Sequence, residues 1–541
     1  MKKLDTGKII LGTAILVLFM LVVYPLSKIV FQSFLYDQRL STANYVRALT
    51  RRGFFLALRH SLEISLASML GATILGTFLA WLVGRTDLPW RKFFRTAFIL
   101  PFITPPFVGA LAWKQLLGPV GLLNKLYMLF FDTTEGLWNM YGADGIMLVM
   151  VLHIYPLVYI TVLGSLERMN PELEEAAQIA GSPVFSVMWH ITMPLMLPSI
   201  ASGAVLVFIA CIANFGIPAI LGFPENYYVL TTKIYEAVTR SAQANSLSLA
   251  SALSVLLGLV AGSGLLAQRY YLKKKDYTVL SGKSMQPNLI ALGKHKGWLL
   301  PFCVLIVLIT SLAPLIAILL TALTKAYGLP PTPSNWTLQN FYEVLFLNQT
   351  ARRAIRNSVF LAFSAATAIS LLGALIAYIV VKTKMRGRFV LDFLSNMPYA
   401  LPGTVVAVAM ILAWLRPVPV LGIRLYNTIW ILLIAYIARY LAFGVRTISA
   451  SLAQIHVCLE EAARISGANW FQTFRDIVIP LITPGLFASW FLVFMPSLRE
   501  LTISTLLWST RHETIGVMVF NLQESGNTVA SAALAVVMML V

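Results

Sequence analysis

Charge is scarce in this sequence. Only 12% of the 541 residues are Asp, Glu, Lys or Arg, against roughly 25% in soluble domains. Acid is scarcer than base: 22 Asp and Glu stand against 41 Lys and Arg, a formal net charge of +19. A basic balance can signal nucleic acid, but groove contacts need an exposed basic face. Here the basic residues sit in short clusters between apolar runs, so no nucleic-acid partner is expected. Cysteine is nearly missing. Cys211, Cys303 and Cys458 are far apart and form no Cys-x-x-Cys pair, which argues against a disulfide framework or a zinc site. The histidines (His60, His153, His190, His295, His456, His512) form no i, i+4 pair. No carboxylate or tyrosine cluster recurs at helical spacing within one span, so no metal site is expected. A phosphate-binding loop is lacking too. Gly282-Lys283-Ser284 has the right ending, but Tyr277 stands where the first glycine is required. The chain is therefore expected to bind no cofactor and to catalyse no reaction of its own.

Apolar residues are abundant, at 58%. Runs of about 20 are long enough to cross a bilayer as helices. Apolar patterning predicts spans near 9–31, 60–84, 95–117, 145–168, 197–221 and 247–271, then 298–323, 356–381, 389–415, 427–450, 482–508 and 528–541. The fold class is an all-α membrane protein of about 12 transmembrane helices. The run after Met1-Lys2-Lys3 and Lys8 is too long for a signal peptide and shows no cleavage site, so it reads as a retained first helix. Arg85, Arg91, Lys92 and Arg95, the linker residues Arg269, Lys273, Lys274, Lys275, Lys283, Lys294 and Lys296, and Lys382, Lys384, Arg386 and Arg388 all fall on one side if the N-terminus is cytoplasmic. Arg51, Arg52, Arg352, Arg353 and Arg356 then lie outside. The last run, about 14 residues or roughly 21 Å as a helix, is shorter than a bilayer core of about 30 Å, and a truncated last helix is expected.

The halves resemble each other. Leu58-Arg59-His60-Ser61-Leu62 matches Ile355-Arg356-Asn357-Ser358-Val359, and Leu100-Pro101 with Pro105 matches Met397-Pro398 with Pro402. This predicts a first half at 1–275, a basic cytoplasmic linker at 276–297 and a second half at 298–541. An even number of spans per half makes them two parallel six-helix repeats, with extra residues in the first half around Asp132–Asp144.

Between the fourth and fifth spans of each half lies the most informative motif. Glu175-Ala176-Ala177 is followed after three residues by Gly181, and after nine more by Ile191-Thr192-Met193-Pro194; Glu461-Ala462-Ala463, Gly467 and Ile477-Val478-Ile479-Pro480 repeat the spacing. Glu-Ala-Ala favours a helix, glycine permits a sharp turn, and Pro194 and Pro480 suit a boundary before the next span. This pattern resembles the cytoplasmic signature of permeases of binding-protein-dependent ABC importers of type I, with Met193 and Ile479 where the family usually has Leu. The likeness covers both halves. It implies a multi-pass permease of the bacterial inner membrane, two copies of a separate ABC ATPase holding ATP and Mg, and a periplasmic substrate-binding protein. It also implies that Glu175, Ala176, Ala177, Gly181, Glu461, Ala462, Ala463 and Gly467 dock the ATPases.

For the cargo, the segments Asn214–Gly222, Tyr228–Tyr235 and Ser497–Leu501 in a fused double permease look most like ferric-iron importers. Importers of 2-aminoethylphosphonate, thiamine and polyamines have similar segments. Arg499 and Glu500 are candidates for the substrate pathway, because ionisable residues at membrane depth usually face a cavity, and Asn214, which matches Glu500 in the first half, is a third candidate. A structural ion pair between Arg499 and Glu500 is the competing reading. Two other classes remain open: a secondary transporter driven by an ion gradient, which would need intramembrane carboxylates and leaves the paired loops unexplained, and a membrane-embedded enzyme, which would need a clustered catalytic set.

Overall fold

The computed structural model describes residues 6–170, 172–240, 245–273, 289–417, 422 and 424–540. The Gly282-Lys283-Ser284 triad and linker residues Lys274 and Lys275 lie outside them. Almost all of the described chain is helical. Nine of its helices are long and apolar enough to cross a membrane, or up to eleven if each bent pair is one span; Thr528–Leu540 is a shorter apolar helix. The twelve expected spans thus become nine to eleven by length and composition.

The longest helices are Arg52–Arg85 and Gln349–Lys382. The second opens on a side-chain cap, with Ala351 N–H donating to Asn348 Oδ1 at 3.0 Å, which satisfies one of the free donors of a helix start. Both helices end where a threonine, Thr86 or Thr383, turns extended. Their early turns carry the sequence match between the halves, and each tethers a later segment in the same way. Leu230 N–H donates to Ser61 Oγ at 2.7 Å, and Ile515 N–H to Ser358 Oγ at 2.8 Å. His60 Nδ1 lies 3.0 Å from Tyr228 O, while Asn357 Nδ2 donates to the carbonyls of Arg511 and Glu513 at 3.1 and 3.0 Å.

The third expected spans are broken. Arg91–Ile103 meets Pro106–Phe131 at 96°, and Arg388–Tyr399 meets Gly403–Trp414 at 111°. Prolines 101, 105 and 106, and 398 and 402, remove amide donors at the breaks. Lipid offers no substitute partner for the freed carbonyls. At the second break Arg439 donates to the carbonyls of Pro398, Tyr399 and Leu401.

The fifth spans differ from expectation. They run unbroken as Phe185–Ile212 and Phe471–Leu498, so Pro194 and Pro480 do not mark their starts. One π-turn precedes each proline, Met188–Thr192 and Phe474–Val478. The wider turn lets proline sit at the first turn of the following α-segment, where its missing N–H costs little.

The chain forms two compact units: Met1–Ala48, Ile234–Gly258 and Tyr342–Asn527 make one; Leu49–Lys233, Leu259–Phe341 and Thr528–Val541 make the other. Neither coincides with a sequence half, because each half contributes its first helix and part of its last to the other's core. In the first unit Leu11, Ala14 and Leu18 pack in a core with Ile369, Leu391 and Val445. In the second, Ala313–Ala322 packs on Pro106–Leu117 and Thr528–Leu540. Small cavities occur at matching places. One of about 20 Å³ in the second unit is lined by Thr104, His153, Thr310 and Ser311 among others; one of about 10 Å³ in the first unit is wholly apolar, with Leu21, Val22 and Leu401.

Asn357→Leu leaves the carbonyls of Arg511 and Glu513 without their donor. It is expected to destabilise the chain by about 1–3 kcal/mol, read as a lower midpoint in thermal unfolding in detergent. An unchanged midpoint would show that the tether carries no weight.

Candidate functional site: the paired Glu-Ala-Ala loops

Each Glu-Ala-Ala motif forms a short helix, Glu172–Ile179 in the first loop and Val457–Ile465 in the second. The glycine ends it. Gly181 has φ +84° and Gly467 φ +86°, the left-handed conformation that glycine adopts without penalty. In the first loop Gly181 N–H donates to Gln178 O at 2.9 Å and Ser182 N–H to Ala177 O at 3.0 Å. These are the two bonds of a Schellman cap. The second loop shows the longer bond, Ala468 N–H to Ala463 O at 3.0 Å. The three-residue spacing between Ala-Ala and Gly is thus the spacing of a helix stop. Nothing lies within 4 Å of a Cβ built on either glycine; the backbone angle alone requires glycine there, not a close approach.

The charges of these loops are divided by depth. Glu175 is half-buried and Glu461 exposed, and Ala176 and Ala462 are exposed as well. Ala177 is half-buried, Ala463 buried, and Gly181 and Gly467 exposed. The acids just before the motif, Glu174 and Glu460, are both 4% exposed. Each reaches the last residue of a long helix. Glu174 Oε2 lies 3.4 Å from Arg85 Nε, and its Oε1 accepts from Thr192 Oγ1 at 2.5 Å. Glu460 Oε1 lies 3.1 Å from Lys382 Nζ, and its Oε2 accepts from Tyr378 OH at 3.1 Å. Lys382 also donates to Ile455 O at 2.7 Å, and Arg85 to Met169 O at 3.3 Å. Glu175 and Glu461 form no hydrogen bond or ion pair among the described residues, and the anchoring acids are their neighbours Glu174 and Glu460. Their signal was present as acid doublets in both loops and a basic residue at the matching end of each long helix.

With the inner acid holding the loop, the outer side of the helix presents apolar residues. Ile179 and Ile465 are 88% and 87% exposed. Leu173 with Phe185, and Leu459 with Phe471, are exposed at matching positions of the two loops.

The first loop has a further brace. Phe185 packs edge-on against His295, with centroids 6.4 Å apart, and tilted against Trp81 at 6.5 Å. Beside it, Ile290 N–H donates to Arg85 O at 2.9 Å, and Asp87 bonds Lys296 Nζ at 2.6 Å and Leu292 N–H at 2.9 Å. Partial burial would raise the Asp87 carboxyl, but the hydrogen bonds from Lys296 and Leu292 outweigh it and hold the pKa below the ordinary carboxylate value.

The pathway candidates separate into two kinds. Asn214 Oδ1 accepts from Ile217 N–H at 3.0 Å and so caps the short helix Gly216–Gly222. Glu500 does the same for Ser504–Leu507: its carboxylate accepts from Ile503 N–H at 2.9 and 3.1 Å, from Ser504 N–H at 3.0 Å and from Ser504 Oγ at 2.9 Å. Arg499 is half-buried and makes no ion pair with Glu500 among the described residues. Among those residues no group of three His, Cys, Asp or Glu is arranged to hold a metal.

Both loops fall inside the two stretches, 72–270 and 369–541, that match one family model, the binding-protein-dependent transport system inner membrane component. The chain belongs to this family. It is therefore a multi-pass inner-membrane permease of an ABC importer, a transport component that works with an ATPase and a periplasmic binding protein. Among curated relatives, the ferric transport system permease protein FbpB of Actinobacillus pleuropneumoniae is 27% identical over 100% of this permease and 78% of its own length. A putative ferric transport system permease, FbpB 1 of Haemophilus influenzae, is 29% identical over 92% of this chain and 77% of its own. The spermidine/putrescine permease PotC of Haemophilus influenzae is 30% identical, over 42% of this permease and 84% of its own. A solved chain from a bacterial alginate importer covers 45% of this permease and 87% of its own length, at 21% identity and TM-score 0.39.

Glu174→Ala leaves the Arg85 guanidinium buried without its carboxylate, a change that costs about 3–5 kcal/mol. The expected outcome is a lower unfolding midpoint together with faster proteolytic cleavage within 168–182. Glu175→Ala, on the half-buried side, is expected to leave both unchanged. Equal behaviour of the two variants would contradict the division of labour between the acids.

Proposed function

We propose that this permease imports ferric iron, delivered by a periplasmic binding protein, and that its two Glu-Ala-Ala loops each dock one copy of an ABC ATPase on the cytoplasmic side. The observation that carries the docking assignment is the matched geometry of the loops: a pinned helix, a glycine stop and an exposed isoleucine, twice. Exposed Glu461 and half-buried Glu175 supply polar contacts at the rim of each apolar patch. The N-terminus lies in the cytoplasm in this reading, and the basic cluster around Arg85–Arg95 and the linker then fall on that side. ATP and Mg belong to the partner subunits, and hydrolysis drives alternating access of the permease. The pinning of each loop to the end of a long helix by a buried ion pair supports the transmission, because a displacement of the loop pulls on the helix directly.

Iron as the cargo rests on the near full-length likeness to ferric permeases, set against the partial likeness to a polyamine permease.

Two experiments test the two parts. Glu461→Lys places a cation on the exposed rim, and Gly467→Val forces a β-branched residue to φ +86°, which is a true outlier conformation for it. Both are expected to lower ATPase co-purification and transport while binding-protein docking survives; normal values in both would refute docking at this loop. For the cargo, deletion of the gene is expected to abolish radiolabelled ferric-iron uptake, and the gene to restore it. Unchanged uptake with no second iron system expressed would leave the importer standing and overturn iron.

A further inference from the structure

The first compact unit holds five polar side chains where its counterpart has three apolar and two polar ones. Tyr436, Arg439, Tyr440, Arg499 and Glu500 occupy positions that in the other half of the sequence match Met150, His153, Ile154, Ala213 and Asn214. Three of the five are fully engaged. Arg439 donates to the carbonyls at the helix break. Glu500 is saturated as a helix cap. The Tyr436 hydroxyl pairs with Ser504 Oγ at 2.6 Å.

Arg499 and Tyr440 are not engaged. Among the described residues the Arg499 guanidinium has neither a hydrogen bond nor an ion pair, and the Tyr440 hydroxyl has no hydrogen bond. Contacts bring the two to one place: the Tyr440 ring packs on Tyr436, whose hydroxyl pairs with Ser504 Oγ, and Ser504 Oγ donates to Glu500, the residue next to Arg499. Both are half-buried, so both are reachable. The Tyr440 ring is held between Phe443, at 6.1 Å and 26°, and Tyr436, at 6.2 Å and 72°. Its hydroxyl is thus positioned before any ligand arrives. Arg499 opens the turn between Leu498 and the Ser504–Leu507 helix, a turn that Glu500 rigidifies from the inside.

A partly desolvated guanidinium with its natural counter-ion occupied elsewhere lacks a negative partner. Its planar set of donors matches two oxygens of a carboxylate, phosphate or phosphonate, and an adjacent phenol adds one donor more. We propose that Arg499 and Tyr440 form a binding subsite for an oxyanion borne by the cargo or accompanying it. This rests on the chain being an importer permease and not on iron being the cargo. For a trivalent metal the consequence is specific: a bare cation is repelled by Arg499, and only a metal whose charge is offset by oxyanion ligands passes it.

Inorganic phosphate is the probe. Its binding to the full chain in nanodiscs would be measured by calorimetry for the wild type, Arg499→Lys, Arg499→Gln and Tyr440→Phe. The wild type is expected to bind phosphate, with affinity falling about tenfold or more in Arg499→Gln and less in Tyr440→Phe, and with Arg499→Lys between them. No phosphate binding by the wild type, or equal binding by Arg499→Gln and Tyr440→Phe, overturns the proposal. The two conservative variants decide the matter if Arg499→Gln does not fold. In the reconstituted complex with ATPase and binding protein, ferric uptake that rises with added phosphate identifies an accompanying anion. Uptake of an oxyanion cargo without added phosphate identifies an anion of the cargo itself. A loss of binding-protein docking in Arg499→Gln, with phosphate affinity unchanged, would assign Arg499 to the binding protein and overturn the subsite. Failure of the wild-type ATPase to respond to binding protein would instead be a failure of the importer reading.

Discussion

A charge buried at the end of a membrane helix must find a counter-charge, and in this permease the counter-charge comes from a loop. Arg85 and Lys382 close the two longest helices, and Glu174 and Glu460 reach back to them from the Glu-Ala-Ala loops. Breaking either pair strands a charge in a low dielectric, which costs far more than the pair gains over an apolar substitute. The loop therefore has one place to sit. From that follow the orientation of its short helix, the position of the glycine stop and the outward direction of Ile179 and Ile465. The two anchors use different chemistry. Lys382 is a compact charge that pairs with Glu460 and donates to a carbonyl, whereas Arg85 Nε and Nη1 have no hydrogen-bond partner among the described residues.

The bilayer imposes a second constraint, on the backbone. Wherever a helix stops or bends at membrane depth, its free amides and carbonyls need partners. Asn214 and Glu500 accept from free amides at the starts of the short helices that follow the fifth spans, and Arg439 donates to freed carbonyls at one bend. The halves solve the same problem with different residues. A neutral amide suffices as a cap in one half. The other uses a carboxylate, which is then consumed, and the neighbouring arginine is left free to meet an anion.

Much of this was legible in the sequence. Run length placed most spans, and the spacing from Ala177 to Gly181 encodes the helix stop seen in the structure. Local rules failed where long-range packing decides. Pro194 and Pro480 read as span boundaries because a proline removes a donor; the π-turn before each, invisible to periodicity, absorbs that loss. Glu500 read as a pathway residue because a carboxylate at membrane depth demands an explanation, and a cap three residues away supplied one. Glu174 was overlooked because adjacent acids on a polar helix look alike until the partner 89 positions earlier, Arg85, is known to be buried. The exchange of first and last helices between the compact units leaves no mark on local pattern at all.

The most direct measurement of the central claim is cysteine cross-linking from the loops to the ATPase in the assembled transporter. Cys211 and Cys303 are buried and only Cys458 is exposed among the native thiols, so a Cys458→Ser background suffices. Ile179→Cys and Ile465→Cys, introduced one at a time, are each expected to cross-link to an ATPase subunit, with yields that change on ATP addition. A complex that still hydrolyses ATP in response to binding protein, yet cross-links from neither position, would contradict the account.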